Sequence, residues 1–248
     1  MIFLILVLFI ILLACLIYIL YKYRTKPDIY LLPDSHTTSD IYGEKIINLL
    51  AQYGNIIKVQ WPQGPFDLYT FSSTIAEKIN QKGKKVILVG YSVGSLVANI
   101  IASEIGSNLK SMYLVVYSCD GNLTPQGQKV IDKISTNQTS ENLLNKLYFS
   151  ETDTVSPYME KLEKQSALSP TQIQHISTSI GKFVSEQKKF CKLYNVPVYI
   201  IYGTDDIVYG KPPPEVCSKY NCTSISGAGH SILSSHMDKV YEWFKTYI

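Results

Sequence analysis

Gly90-Tyr91-Ser92-Val93-Gly94 follows directly on the uncharged run Val86-Ile87-Leu88-Val89, and Leu96, Val97, Ile100 and Ile101 come after it at helical spacing. Few backbones accommodate that succession. The apolar run reads as a buried strand, and the 3.6-residue periodicity reads as a helix packed back on the strand's sheet. The chain must therefore reverse direction within a few residues. The G-x-S-x-G pattern describes how: glycines flank a serine on a turn so tight that only small neighbours fit, and the hydroxyl is left exposed. The bare pattern is common in unrelated sequences, so its weight comes from the strand before it and the helix after it.

The same alternation runs along the chain. Strands are expected at Ile29–Leu32, Ile56–Val59, Val86–Val89, Met112–Tyr117, Val198–Tyr202 and Cys222–Ile225, each a short β-branched or aromatic run. Helical patterns lie between them, from Ile41–Tyr53, with Gly54 as its expected C-cap, to Met237–Tyr247. Strands alternating with helices imply an α/β fold, a mostly parallel sheet of about six strands with helices on both faces. Residues 120–193 break the alternation, since no strand is evident there. Ser169-Pro170-Thr171-Gln172 supplies an N-cap serine, a first-turn proline and a capping glutamine, and Ile173, Ile176, Ile180 and Phe183 form one helical face. Leu143, Leu144, Leu147, Tyr148 and Phe149 either line an apolar pocket or dock this insert on the core.

The strand Val198–Tyr202 runs into Gly203-Thr204-Asp205-Asp206, and about twenty residues further on Gly227-Ala228-Gly229-His230 presents a histidine between turn-forming residues. In that Ser, Asp, His order the chain from Pro27 to Ile248 resembles the serine hydrolases of the α/β-hydrolase superfamily. The resemblance implies an esterase- or lipase-like enzyme with a helical cap inserted at about 120–193. It assigns Ser92 as nucleophile, His230 as base and Asp206 as acid, with the neighbouring Asp205 as the alternative. A serine hydroxyl is a poor nucleophile until a base within reach takes its proton, and the carboxylate holds the imidazole in the right tautomer. His36 falls in an early loop, His175 in the insert and His236 inside the helical stretch that follows His230, which leaves His230 as the base.

Acyl transfer also needs backbone N–H groups aimed at the developing oxyanion. By the resemblance these belong to Val93 and Ser35, the latter in the loop Pro33-Asp34-Ser35-His36. Relatives often have His-Gly where this chain has Pro33-Asp34. An inward carboxylate at Asp34 would oppose the developing charge, so Asp34 is expected to face outward or to cap a turn. Ser95 stands where relatives often carry glycine and keeps the position small. The resemblance implies no metal and no organic cofactor. It leaves the substrate open: a carboxylic ester, of a lipid or acylglycerol, a thioester, an amide or an acyl-transfer donor, or, in a catalytically inactive relative, a bound ligand only.

The chain has 248 residues, with 46% hydrophobic and 17% charged, which suits one α/β domain. A net charge of +3 without a dense basic stripe gives no support to nucleic-acid binding. No phosphate-cradling loop or zinc-ligand spacing stands out. Met1 to Tyr21 carries no charged side chain and, as a helix at about 1.5 Å per residue, would span roughly 30 Å, the thickness of a bilayer's hydrocarbon core. It is expected to be a retained single-pass anchor, followed by a basic linker at 22–28 and the domain at 29–248. It lacks the short apolar core and small-residue cleavage site of a signal peptide. Lys22, Arg24 and Lys26 on its C-terminal flank place the domain in the cytosol by the positive-inside rule. Three sequons, at Asn122, Asn137 and Asn221, would suit the opposite side. Cys217 and Cys222 lie close enough to form a small disulfide, whereas Cys119 and Cys191 are expected to be buried thiols.

Overall fold

The computed structural model describes residues 11–13, 26–121, 123–129, 148–186 and 190–248. Six strands form one sheet: β1 (Asp28–Leu32), β2 (Asn55–Lys58), β3 (Val86–Tyr91), β4 (Leu109–Val115), β5 (Val198–Gly203) and β6 (Asn221–Ile225). Their order is β2-β1-β3-β4-β5-β6 and every pairing is parallel. Period-2 alternation divides each strand between two cores. Tyr30, Leu32, Val86 and Leu88 face one, and Ile29, Leu31, Ile87 and Val89 face the other. Helices α2 (Leu68–Lys82) and α3 (Val93–Ile105) cover the first face; α1 (Gly43–Ala51) and the C-terminal Met237–Tyr247 cover the second.

The chain adds β2 on one side of β1, then crosses to add β3 on the other. The strand order therefore reverses at β1 and β3, and the crevice at the carboxyl ends of such strands is where open α/β sheets bind ligands. Tyr42 braces this point, its buried hydroxyl donating to the carbonyls of Leu32 (2.9 Å) and Val89 (3.2 Å).

Between β4 and β5 the described insert carries α4 (Pro157–Ser166) and α5 (Pro170–Ser185). The capping box at Ser169 and Gln172 is present at the start of α5, and Ile176, Ile180 and Phe183 bury against the sheet core. The insert is also strapped to the loop after β1. Thr38 N–H donates to Ser166 O (2.8 Å), and Leu168 N–H to His36 O (2.9 Å). Leu143, Leu144 and Leu147 lie outside the described residues.

Several expectations need correction. The first helix ends at Ala51, with Gln52 rather than Gly54 as its C-cap. Gly54 is required for another reason: a Cβ there would stand 2.5 Å from Pro27 O and 2.6 Å from the Ile29 side chain. Cys119 and Cys191 are not thiols but a disulfide, with Cα atoms 4.8 Å apart across a separation of 72 residues. Only the folded insert brings them together, so no sequence pattern announced the pair. Cys217 and Cys222 form a second disulfide. Among the described residues no helix is long and apolar enough to cross a membrane; all of Met1–Tyr21 except Ile11–Leu13 lies outside them.

Candidate active site

Ser92 sits between β3 and α3 with φ 54° and ψ −116°, a backbone conformation that a residue with a side chain rarely adopts. The strain is held in place by close packing. A Cβ at Gly94 would stand 2.2 Å from Leu32 O, so only glycine lets the turn lie against the end of β1. Below the turn, Ser95 Oγ donates to Ser92 O (2.6 Å) and accepts from Ser118 N–H (2.9 Å). Asn99 Nδ2 donates to Ser95 O and Ser118 O. Ser95 therefore ties the turn to the loop after β4, a role that its small size alone did not suggest.

Ser92 Oγ lies 2.8 Å from His230 Nε2, and His230 Nδ1 lies 3.0 Å from Asp206 Oδ2. All three side chains are buried. Asp206 Oδ1 accepts from the N–H groups of Val208 (2.8 Å) and Tyr209 (3.1 Å), which fixes the carboxylate's other oxygen toward the imidazole. Asp205 is exposed and accepts instead from Thr204 Oγ1 (2.8 Å). The geometry thus separates two aspartates that the sequence left as neighbours.

The loop after β1 completes the site. Asp34 Oδ1 accepts from His36 N–H (3.0 Å), Thr37 N–H (2.8 Å) and Thr37 Oγ1 (2.6 Å), so this oxygen caps its own turn. Trp61 Nε1 donates to Asp34 O (2.8 Å) and holds the loop from outside. Ser35 and Val93 line the same small cavity as Ser92 and His230.

Four residues join the site or its support; sequence reasoning offered only Tyr148 as a possible pocket residue and gave the other three no role there. Tyr148 and Tyr209 flank the imidazole, with ring centroids 5.6 Å and 5.4 Å from that of His230. The Tyr209 phenol faces Ser92 and Ser118, and burial pushes its ionisation well above the usual tyrosine range, so it stays a proton donor. His36 lies with Nδ1 2.9 Å from Ser35 Oγ, and burial holds it below the ordinary histidine value and therefore neutral. Asp153, in the insert, has a fully buried side chain whose Oδ2 accepts from Gly229 N–H (3.0 Å) and Ser150 N–H (2.8 Å). Its Oδ1 lies 3.4 Å from His236 Nδ1. No periodicity or motif marks Asp153, because Gly229 and His236 stand more than seventy residues away in sequence.

No family model matches the chain, nor does any curated protein. Solved structures match nearly its whole length. A lipase-esterase related protein from Clostridium acetobutylicum has 16% identity and TM-score 0.67, covering 91% of this chain and 96% of its own. A thermophilic esterase from Thermogutta terrifontis has 14% identity and TM-score 0.66, covering 90% and 89%. An alpha/beta hydrolase fold protein from Chitinophaga pinensis has 12% identity and TM-score 0.66, covering 90% and 89%. The chain has the α/β-hydrolase fold. At such identities the likeness extends to architecture, and chemistry has to be argued from the site.

Proposed function

We propose that the protein is a serine hydrolase that cleaves a carboxylic ester through an acyl-enzyme. The observation that carries this reading is the unbroken hydrogen-bonded series from Ser92 Oγ through His230 to Asp206. His230 Nε2 takes the Ser92 proton as Oγ attacks the ester carbonyl, while Asp206 holds Nδ1–H and stabilises the imidazolium. The tetrahedral oxyanion is received by the backbone N–H groups of Val93 and Ser35. Collapse breaks the bond to the alcohol oxygen, which takes the proton from His230. A water then repeats the sequence on the acyl-enzyme, releasing the acid and restoring Ser92. No step calls for a metal or organic cofactor.

The uncharged segment Met1–Tyr21 supports a membrane tether, and a lipid or acylglycerol ester is the substrate that fits such a tether. The side of the membrane is reversed from the cytosolic expectation. Two disulfides, Cys119–Cys191 and Cys217–Cys222, favour an oxidising compartment, and the sequon asparagine Asn221 is exposed at the start of the edge strand β6. Alkylation of the denatured protein under non-reducing conditions checks this: four protected cysteines and one free thiol, Cys15, are expected, and five free thiols in the protein from its native membrane would restore the cytosolic assignment.

Labelling of the purified full chain by a fluorophosphonate tests the chemistry. Labelling lost in Ser92→Ala is expected. A folded wild-type chain that takes no label would leave a binding protein on a hydrolase scaffold as the better account.

A further inference from the structure

The space immediately over Ser92 is about 20 Å³, room for roughly one water. A second cavity of about 260 Å³ adjoins it. The two share Asp34, His36 and Tyr148 in their linings, so these side chains form the partition between them. Tyr148 Oη is 3.4 Å from His36 Nε2, a long hydrogen bond, and its ring lies edge-on to that of His36 with centroids 5.3 Å apart. Turning that ring aside would open the reaction space into the larger chamber. At 260 Å³ the chamber lies just under the range of about 300–1,000 Å³ typical of ligand pockets. It has room for a short chain or a single ring.

Its walls are mostly apolar, with Ile41, Tyr91, Phe149 and Ile173 among them. Two acidic residues, Asp34 and Glu163, are also in its lining, and none of the described lining residues is Lys or Arg. Burial raises the Glu163 carboxyl above its ordinary value; Asp34 and Glu160 act in the same direction, and a Ser234 hydroxyl opposes them. The groups acting on Glu163 thus include two further acids and no cation. An anion entering such a chamber would lose its hydration and meet carboxyl groups in exchange, while a neutral arm loses little and a cation gains partners.

We propose that this chamber receives the shorter arm of the ester and selects an arm that is uncharged or cationic over one bearing a carboxylate. The proposal rests on the ester-hydrolase reading above and adds to it the charge class of the substrate. Two matched series test it with the full chain in neutral detergent. In the first, butanoic acid is esterified with butanol, with choline, or through the hydroxyl of hydroxybutanoic acid. In the second, the acyl arm of para-nitrophenyl esters is hexanoyl, trimethylammoniopentanoyl or the monoacyl form of adipic acid. Each kcat/KM is divided by the rate of hydroxide-catalysed hydrolysis of the same ester. In one series the carboxylate member should fall about tenfold or more below the neutral member, a factor of about 1.4 kcal/mol. Glu163→Gln should narrow that gap severalfold, and Glu163→Lys should reverse the ranking of cationic and anionic arms. Equal rates for neutral and anionic members in both series, or a gap that Glu163→Gln leaves unchanged, would overturn the proposal while leaving the hydrolase reading intact. Absence of both ester cleavage and Ser92-dependent fluorophosphonate labelling would overturn the two together.

Discussion

The turn that carries Ser92 is held by atoms close to it in sequence and by the sheet on which it stands. Gly90 and Gly94 flank it, Ser95 caps it from below, and its backbone rests on the ends of β1 and β4. The loop that carries His230 is held from far away. Gly229 N–H donates to Asp153 Oδ2 and Ser231 N–H to Tyr148 O (2.8 Å), while Thr152 Oγ1 donates to Gly227 O (3.0 Å). A Cβ at Gly229 would stand 2.7 Å from Ser150 N, so the insert segment 148–153 lies directly on the histidine loop. Ser92 is thus positioned by steric exclusion within one strand–turn–helix unit. His230 is positioned by hydrogen bonds from an insert that also packs on the loop after β1 and on the sheet core. The insert therefore orients His230.

The largest effect expected separates the chemistry from both kinds of support. Ser92→Ala should lower ester cleavage by about 10⁴-fold or more with the fold retained, and Asp206→Asn should cost on the order of 10⁴ in kcat. Asp205→Asn should stay near wild type, because its side chain faces Thr204 and solvent. Steady-state kinetics on one ester decide it, and an Asp205 effect as large as that of Asp206 would overturn the assignment of the acid.

Next in size is the test of the local support. Gly94→Ala places a methyl against Leu32 O and should destabilise the protein by about 3 kcal/mol. Thermal unfolding measures this, and a melting temperature equal to wild type would show that the turn is looser than its packing implies.

The distant support should cost less in stability and more specifically in rate. Asp153→Ala leaves Gly229 N–H and Ser150 N–H without their acceptor and should lower kcat by about 10- to 100-fold, the size expected of a misplaced catalytic group. Asp153→Asn keeps an oxygen acceptor for both amides and should recover most of the rate. Equal losses in the two variants would point to a role in folding rather than in positioning His230.

The smallest effect concerns the surface attachment of the insert. Asp67 caps α2 through Thr70 N–H (2.9 Å) and pairs with Lys182 of α5 (3.0 Å). Chiefly the Thr70 N–H bond, with help from Lys182, holds its carboxyl down to about 2 against an ordinary 3.8. A depressed carboxyl contributes stability above its unfolded value, and that contribution is lost as pH falls from about 4 through about 2. With Lys182 well exposed, the ion-pair share is under about 1 kcal/mol. Urea unfolding of wild type and Asp67→Asn at pH 7 and at the acid end should converge as the pH drops; a constant difference would remove the electrostatic account.

The sheet, its two helical faces, the turn at Ser92 and the cap of α5 were legible in the amino-acid order. Each depends on periodicity or sterics within a dozen or so residues, where side-chain spacing and backbone limits act directly. The ordered appearance of Ser92, Asp206 and His230 was legible as well, but not their contact. Asp206 as the partner of the imidazole and Asp34 as a turn cap were expected from the sequence, but what tertiary structure alone settled are relations between loops: the pairing of Cys119 with Cys191, the arrival of His36, Tyr148 and Tyr209 beside Ser92, and the seat of Asp153 against the His230 loop. The parallel sheet brings the carboxyl ends of β1, β3, β4 and β5 to one edge. Residues more than a hundred positions apart there become neighbours, and spacing along the chain carries no record of which of them will touch.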